Sequence, residues 1–204
     1  MADPVSYSRE GEIAYVTVNN PPVNALSLPV RKGLQDAFAQ FREDSQARAA
    51  ILICEGRTFI AGADITEFGK PPEDPWLPKV IADMESLEKI TIAAIHGTAL
   101  GGGLETAMGC HYRCAVDSAM IGLPEVTLGL LPGATGTQRL PRLIGPKAAL
   151  DVMISGKPMR AADAHQTGAI DEIIPGDLKS GATEYAKKLL AQNAEPHRLS
   201  QSEV

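Results

Sequence analysis

Apolar and β-branched residues run with period two over residues 12–18 (EIAYVTV). Ile13, Tyr15 and Thr17 alternate with Ala14, Val16 and Val18, which predicts a strand. NNPPVNALS follows, and its paired prolines forbid a helix or a central strand there. From Pro29 the period becomes helical: Val30, Leu34, Ala37, Phe38 and Phe41 form one stripe with charges between them. AAILIC at 49–54 and TIAAI at 91–95 are unbroken apolar runs, as expected of strands covered on both faces. EGRTFIAGADI is a glycine-bearing connection, and GKPPEDPWLP an exposed proline-rich loop. The pattern predicts helices at 79–88, in LETAMGC, at the end of PEVTLGLLPGATGTQRLPRLIG, and at 146–154, 160–167 and 177–191. It predicts short strands within 111–123 and at 169–174. No Ser/Gly linker or break in composition intervenes, so residues 1–204 read as a single domain. Strands alternating with helices predict an α/β layered architecture, and pattern alone goes no further.

Composition narrows the function classes. Hydrophobic residues make up 44% and charged residues 22% of the 204, which suits a domain with a real core. The net charge of −6 does not suit a phosphate-backbone binder, so no nucleic-acid partner is expected. It leaves a small anionic ligand open, because a local cluster can differ from the average. No apolar run approaches the ~20 residues of a membrane helix. MADPVSYSREGE has no basic segment followed by an apolar one, so no secretory signal is expected. Cys54, Cys110 and Cys114 are an odd number, without a second Cys/His pair at ligand spacing. They read as reduced, buried thiols with no metal, and Cys110 and Cys114 are spaced to share a helix or strand face.

Three segments carry candidate chemistry. In Ala61-Gly62-Ala63-Asp64-Ile65, small residues allow close approach to main-chain N–H groups. An ordinary tight turn would read the same way. Leu100-Gly101-Gly102-Gly103-Leu104-Glu105 leads from a buried strand into a helix, whose first N–H groups can hold an anion. The alternative is glycine serving close packing. A dinucleotide fingerprint fails, because Thr106 stands at its third glycine position. In Gly122-Leu123-Pro124-Glu125-Val126, a carboxylate on an apolar loop would need a partner or titrate upward if buried; otherwise it is an exposed loop residue. Two carboxylates with main-chain donors could divide acid, base and oxyanion duties, although the twenty residues between Glu105 and Glu125 do not place them together. His96 and His111 read as structural, since no nucleophile elbow accompanies them. Trp76 reads as an anchor for its loop rather than a closure over a ligand.

FIAGADI at 59–65, ALGGGLETAMGC at 99–110 and GLPEVTLGLLPGATGTQRLPRLIG at 122–145 occur in the order found in the enoyl-CoA hydratase/isomerase (crotonase) family. The sequence resembles that family from about residue 12 to 190, through NPPVNALS and SGKPMRAADAHQTGAIDEI. The resemblance implies a spiral of repeated ββα units with a helical C-terminal region. It implies hydration of trans-2-enoyl-CoA in β-oxidation, with Δ3-Δ2 isomerisation as a companion activity. Glu105 and Glu125 stand at the positions of the catalytic glutamates, and the N–H groups of Ala61 and Gly102 at those of the oxyanion hole. Coenzyme A would lie along Ala25, Leu26, Ala63, Asp64 and Ile65, with Leu100, Gly101, Pro132 and Gly133 completing the substrate contacts. No cofactor is implied, coenzyme A being part of the substrate. NPPVNALS, GCHYR and GLPEVTLGLLPGATGTQ look most similar to the N-terminal domain of multifunctional β-oxidation enzymes, where a dehydrogenase part follows. By the same resemblance the chain is expected to lack the family's last C-terminal helices. The partners implied are a trimer-type homo-oligomer or a dehydrogenase domain, in a bacterial cytoplasm by preference or a peroxisome. The alternatives are another enolate-stabilising CoA-thioester reaction and a non-catalytic acyl-CoA-binding relative.

Overall fold

The computed structural model describes residues 3–71 and 73–204. The chain opens with β1 (Val5–Glu10) and β2 (Ile13–Val18), then α1 (Leu28–Glu43). β3 (Ala49–Cys54) leads through a single 3-10 turn at Ile65–Glu67 to α2 (Leu77–Glu85). β4 (Ile90–Ile95) and β5 (Thr98–Leu100) precede α3 (Gly102–Ala107), and β6 (Tyr112–Val116) and β7 (Met120–Gly122) precede a 3-10 turn at Glu125–Leu128. The remainder comprises α4 (Gly136–Ile144), α5 (Pro146–Ser155), β8 (Met159–Arg160), α6 (Ala161–Thr167), β9 (Glu172–Ile174) and α7 (Leu178–Ala191), with a last 3-10 turn at Leu199–Gln201.

The β1–β2 pair lies in one sheet, whereas the units of β4 with β5 and of β6 with β7 each contribute to two sheets at once. One sheet has the order β1-β2-β3-β4-β6-β9, antiparallel at β1·β2 and parallel elsewhere. The other has the order β5-β7-β8. The parallel bridge Ile60↔Ala99 gives the unit after β3 the counterpart of a second strand. This is the spiral of ββα units that the family resemblance implies. β4 is buried along its whole length, because both faces of the large sheet are covered. Val30, Leu34 and Phe41 of α1 pack on one face with Leu52 and Ile95. Tyr185, Ala186 and Leu189 of α7 pack on the other with Ile51 and Ile92.

Several expectations change. β1 carries only Val5 as a buried residue, and it was absent from the predicted pattern because polar VSYSRE lies on an edge. β5 and β8 are too short to show a period. The expected strand at 169–174 narrows to Glu172–Ile174, since Gly168 ends α6 in the left-handed region and Ala169 and Ile170 fill the turn. All three cysteines are free and buried. Cys110 and Cys114 share no face: Cys110 lies in the turn after α3 against one apolar cluster, and Cys114 lies on β6 against the other. No helix among the described residues is long and apolar enough to cross a membrane.

Candidate active site

The two glutamates meet because their strands are neighbours. β5 and β7 pair in parallel with Leu100 opposite Gly122, and Gly101 N donates to Gly122 O at 2.9 Å. Each glutamate follows the C-terminal end of one of these strands. A Cβ on Gly101 would stand 3.1 Å from Glu125 Oε1, so the turn into α3 passes directly beside that carboxyl. Both glutamates line one cavity of about 420 Å³. Its other walls are Ala61 to Ala63, Gly101 and Gly102, and the apolar Ile65, Phe68, Leu77, Leu128, Leu130 and Leu131.

Glu105 is 2% exposed. Its Oε1 accepts N–H bonds from Ala134 at 2.8 Å and Gly136 at 2.7 Å. Burial pushes its pKa up to about 7, opposed by those two bonds and by Arg139, and reinforced by Glu125. Glu125 is half-buried, and burial raises its pKa as well. Its Oε2 is buried and has no hydrogen-bond partner among the described residues. An unpartnered carboxyl oxygen in a low-dielectric wall favours the protonated form.

Beside the carboxyls lie free main-chain donors, though not the expected pair. Ala61 N donates to Val23 O at 3.1 Å and is consumed by the fold, which corrects its assignment to the oxyanion hole. The segment then bridges Leu26↔Ala63, with Leu26 N donating to Gly62 O at 3.0 Å. Ala63 N is 3.7 Å from where a Gly102 Cβ would stand, and no backbone acceptor takes the Ala63 or Gly102 N–H among the described residues. Ala63 and Gly102 therefore form the pair able to hold an oxyanion. The approach needs glycine, since a Cβ on Gly103 would lie 2.0 Å from Ile60 O. Asn24, buried at φ 53°, ties the Val23–Leu26 turn to the carbonyls of Glu55 and Thr58 at 2.9 Å each.

A second cavity of about 270 Å³ shares Ala63, Phe68, Leu77 and Gly133 with the first and adds Leu26, Arg31, Asp64 and Trp76. Of the expected contacts, Ala63, Ile65, Gly101 and Gly133 line the larger cavity and Leu26 and Asp64 the smaller. Ala25, Leu100 and Pro132 line neither. The Ala25 carbonyl is taken by Asn20 Nδ2 and Ser27 N, while Leu100 N donates to Ile60 O, so these two hold the walls in place. The Asp64 carboxylate caps Thr66 N at 2.9 Å, which lowers its pKa.

Trp76 is 52% exposed on the rim of the smaller cavity and anchors nothing by burial. Arg31 secures the loop instead, bonding Pro75 O at 2.9 Å, Leu26 O at 2.8 Å and Glu67 Oε2 at 2.7 Å. His111 is structural: it bonds Thr91 N and the Glu85 carbonyl, and burial pulls its pKa down to about 4. His96 Nε2 meets Gly56 O at 3.1 Å. Sequence reasoning missed Ala134 and Gly136, whose N–H groups leave no side-chain signature, and the buried pair Glu85–Arg139.

Known proteins are similar to this chain in sequence and fold. The profile of the family described as enoyl-CoA hydratase/isomerase matches residues 8–202. A peroxisomal bifunctional enzyme of Danio rerio is 43% identical over 92% of this chain, which spans 26% of the fish protein's length. A Bacillus subtilis (strain 168) protein named "Probable enoyl-CoA hydratase" is 42% identical over 94% of the chain and 76% of its own length. The crystal structure of enoyl-CoA hydratase from Bacillus anthracis superimposes with a TM-score of 0.86 at 34% identity, covering 92% of this chain and 77% of that one. With the family profile, the relatives and the fold in agreement, the chain belongs to the enoyl-CoA hydratase/isomerase family.

Proposed function

We propose that the chain hydrates trans-2-enoyl-CoA thioesters to 3-hydroxyacyl-CoA, as one step of fatty-acid β-oxidation. The observation that carries this is two carboxyls of different environment lining one cavity beside the Ala63 and Gly102 N–H groups, which no backbone acceptor takes among the described residues. The thioester oxygen binds between Ala63 N–H and Gly102 N–H, where negative charge develops as the enolate forms. Loss of one such donor typically raises a barrier by about 3–4 kcal/mol. Glu105 is the base. Both N–H bonds fall on its Oε1, which favours the ionised form and leaves Oε2 to face a water molecule. Glu105 takes a proton from that water as its oxygen bonds to C3. Glu125 is the acid: its unpartnered Oε2 favours a carboxylic acid, and its proton passes to C2. Proton exchange between the carboxyls and solvent restores the starting state. Water addition is redox-neutral, so the proposal includes no cofactor. The same Glu125 could carry a proton between C2 and C4, which extends the proposal to Δ3-Δ2 isomerisation.

The substrate's coenzyme A part is assigned to the smaller cavity, beside Leu26, Arg31 and Asp64. A trimer-type homo-oligomer or an attached dehydrogenase domain is proposed as the wider assembly. The likeness to the Bacillus subtilis protein supports a cytoplasmic setting and that to the fish enzyme a peroxisomal one, which cell fractionation separates.

The test is the fall in enoyl absorbance when the protein meets crotonyl-CoA. Wild type is expected to consume it, and Glu105→Gln and Glu125→Gln each to slow hydration by roughly 100-fold or more. A Glu125→Gln variant hydrating at the wild-type rate would sink the assignment.

A further inference from the structure

The two N–H groups that grip Glu105 flank Thr135, whose φ of 79° lies in the left-handed region. That conformation is strained for a β-branched residue, and it persists only where surrounding contacts hold it. The contact here is Arg139. Its Nε donates to Thr135 Oγ1 at 2.8 Å, and its backbone N–H donates to Thr135 O at 2.9 Å. The Arg139 guanidinium is itself buried and fixed. It pairs with Glu85 through Nη1 to Oε1 and through Nη2 to Oε2 at 3.0 Å, and it also donates to Met108 O at 3.3 Å. Glu85, the last residue of α2, accepts a further bond from Ser200 N at 3.0 Å, and Arg198 Nε holds its carbonyl at 3.1 Å. A buried ion pair is a weak source of stability compared with apolar residues of the same size. Its place at the end of this chain of contacts gives it another use.

We propose that Arg139, locked by Glu85, is a positioning residue: it holds Thr135 in its left-handed conformation so that the Ala134 and Gly136 N–H groups converge on Glu105. The proposal rests on the reading of Glu105 as the base. The charged groups bearing on Glu105 are Glu125, from the turn after β7, and Arg139, from α4, while Glu85 on α2 faces Arg139. Loosening Thr135 weakens two bonds that favour the Glu105 carboxylate, so its titration moves upward.

Thr135→Val keeps the branched shape and deletes the hydroxyl acceptor. The double variant Glu85→Met with Arg139→Met removes the pair without orphaning a buried charge. The Glu105 carboxyl is followed through pH by 13C NMR, a readout independent of turnover, and kcat and KM on crotonyl-CoA are measured beside it. Both variants are expected to shift the Glu105 midpoint up by about one pH unit. They are expected to lower kcat roughly ten- to a hundredfold with KM within about twofold of wild type. Thr135→Ser, which retains the hydroxyl, should restore both values. Folded variants that leave the Glu105 midpoint unmoved would overturn the proposal. A wild type that titrates as expected but does not hydrate the thioester would instead remove the functional reading and leave the positioning role standing.

Discussion

Glu105 illustrates a residue kept at the expense of stability. Its ordinary pKa is 4.5, and the fold raises it to about 7. The folded state therefore binds more protons than the unfolded chain between those values, and stability falls as pH rises through that window. The penalty is absent below about pH 4.5 and fully present above about pH 7, where it amounts to about 3 kcal/mol. Glu105→Gln keeps an oxygen for the Ala134 and Gly136 N–H groups and removes the charge. Urea titrations should show this variant more stable than wild type by up to about 3 kcal/mol at pH 8, with the gain vanishing near pH 4.5. A gain independent of pH would mean that ionisation is not its cause. At this scale the sequence was informative about Glu105 and Glu125, because glycine and proline beside each marked an unusual backbone. The resemblance placed one donor at Ala61 rather than Ala63. Of the two alanines in Ala61-Gly62-Ala63, only strand pairing decides which N–H is consumed, and Val23, the acceptor, lies far away in sequence. Glu85 and Arg139 were equally silent, since each alone looks like a solvated helix charge.

Among the elements, α3 depends most on a single backbone contact. A methyl group on Gly103 would lie 2.0 Å from Ile60 O, a backbone atom that cannot swing aside. Gly103→Ala should force α3 away from the Ile60–Ala63 segment. The expected loss is about 1–3 kcal/mol in denaturant unfolding, with the slope unchanged. Hydration should fall by more than stability accounts for, since Gly102 N and Ala63 N are separated by the same movement. Full activity in this variant would contradict the placement of the donors. Helices α1 and α7 and strands β2, β3 and β4 were legible because their periods are long and one or both faces are covered. β5, of three residues, left no period to read, and β7 was foreseen only as one of the short strands within 111–123, and yet the two bring the glutamates together. Such short strands owe their existence to neighbours rather than to intrinsic preference.

For the molecule as a whole, periodicity specified an α/β layered body, whereas the spiral came only through resemblance, because the pairing of second strands in a separate sheet leaves no local mark. The larger cavity opens through a rim of side chains that water should not favour: Ile65 is 72% exposed, Leu128 66% and Leu131 80%. Contiguous apolar surface of this kind promotes association. Sedimentation velocity at rising concentration should show wild type self-associating, and Leu131→Glu should reduce this without lowering the melting temperature. A wild type that stays monomeric throughout would show that the rim is tolerated in water.

The Ala63 and Gly102 donors have one consequence for how such a protein can vary. A peptide N–H is common to every residue except proline, so almost no codon change deletes these groups. Glu105 and Glu125, by contrast, are each one substitution from losing their carboxyl. In the proposed mechanism the donors that stabilise the intermediate are thus lost only to proline or to a side chain that pushes the backbone aside, as at Gly103, while the carboxyls that choose where protons go can each be exchanged by one substitution. A lineage descending from this sequence could change its reaction without losing the means of holding an enolate.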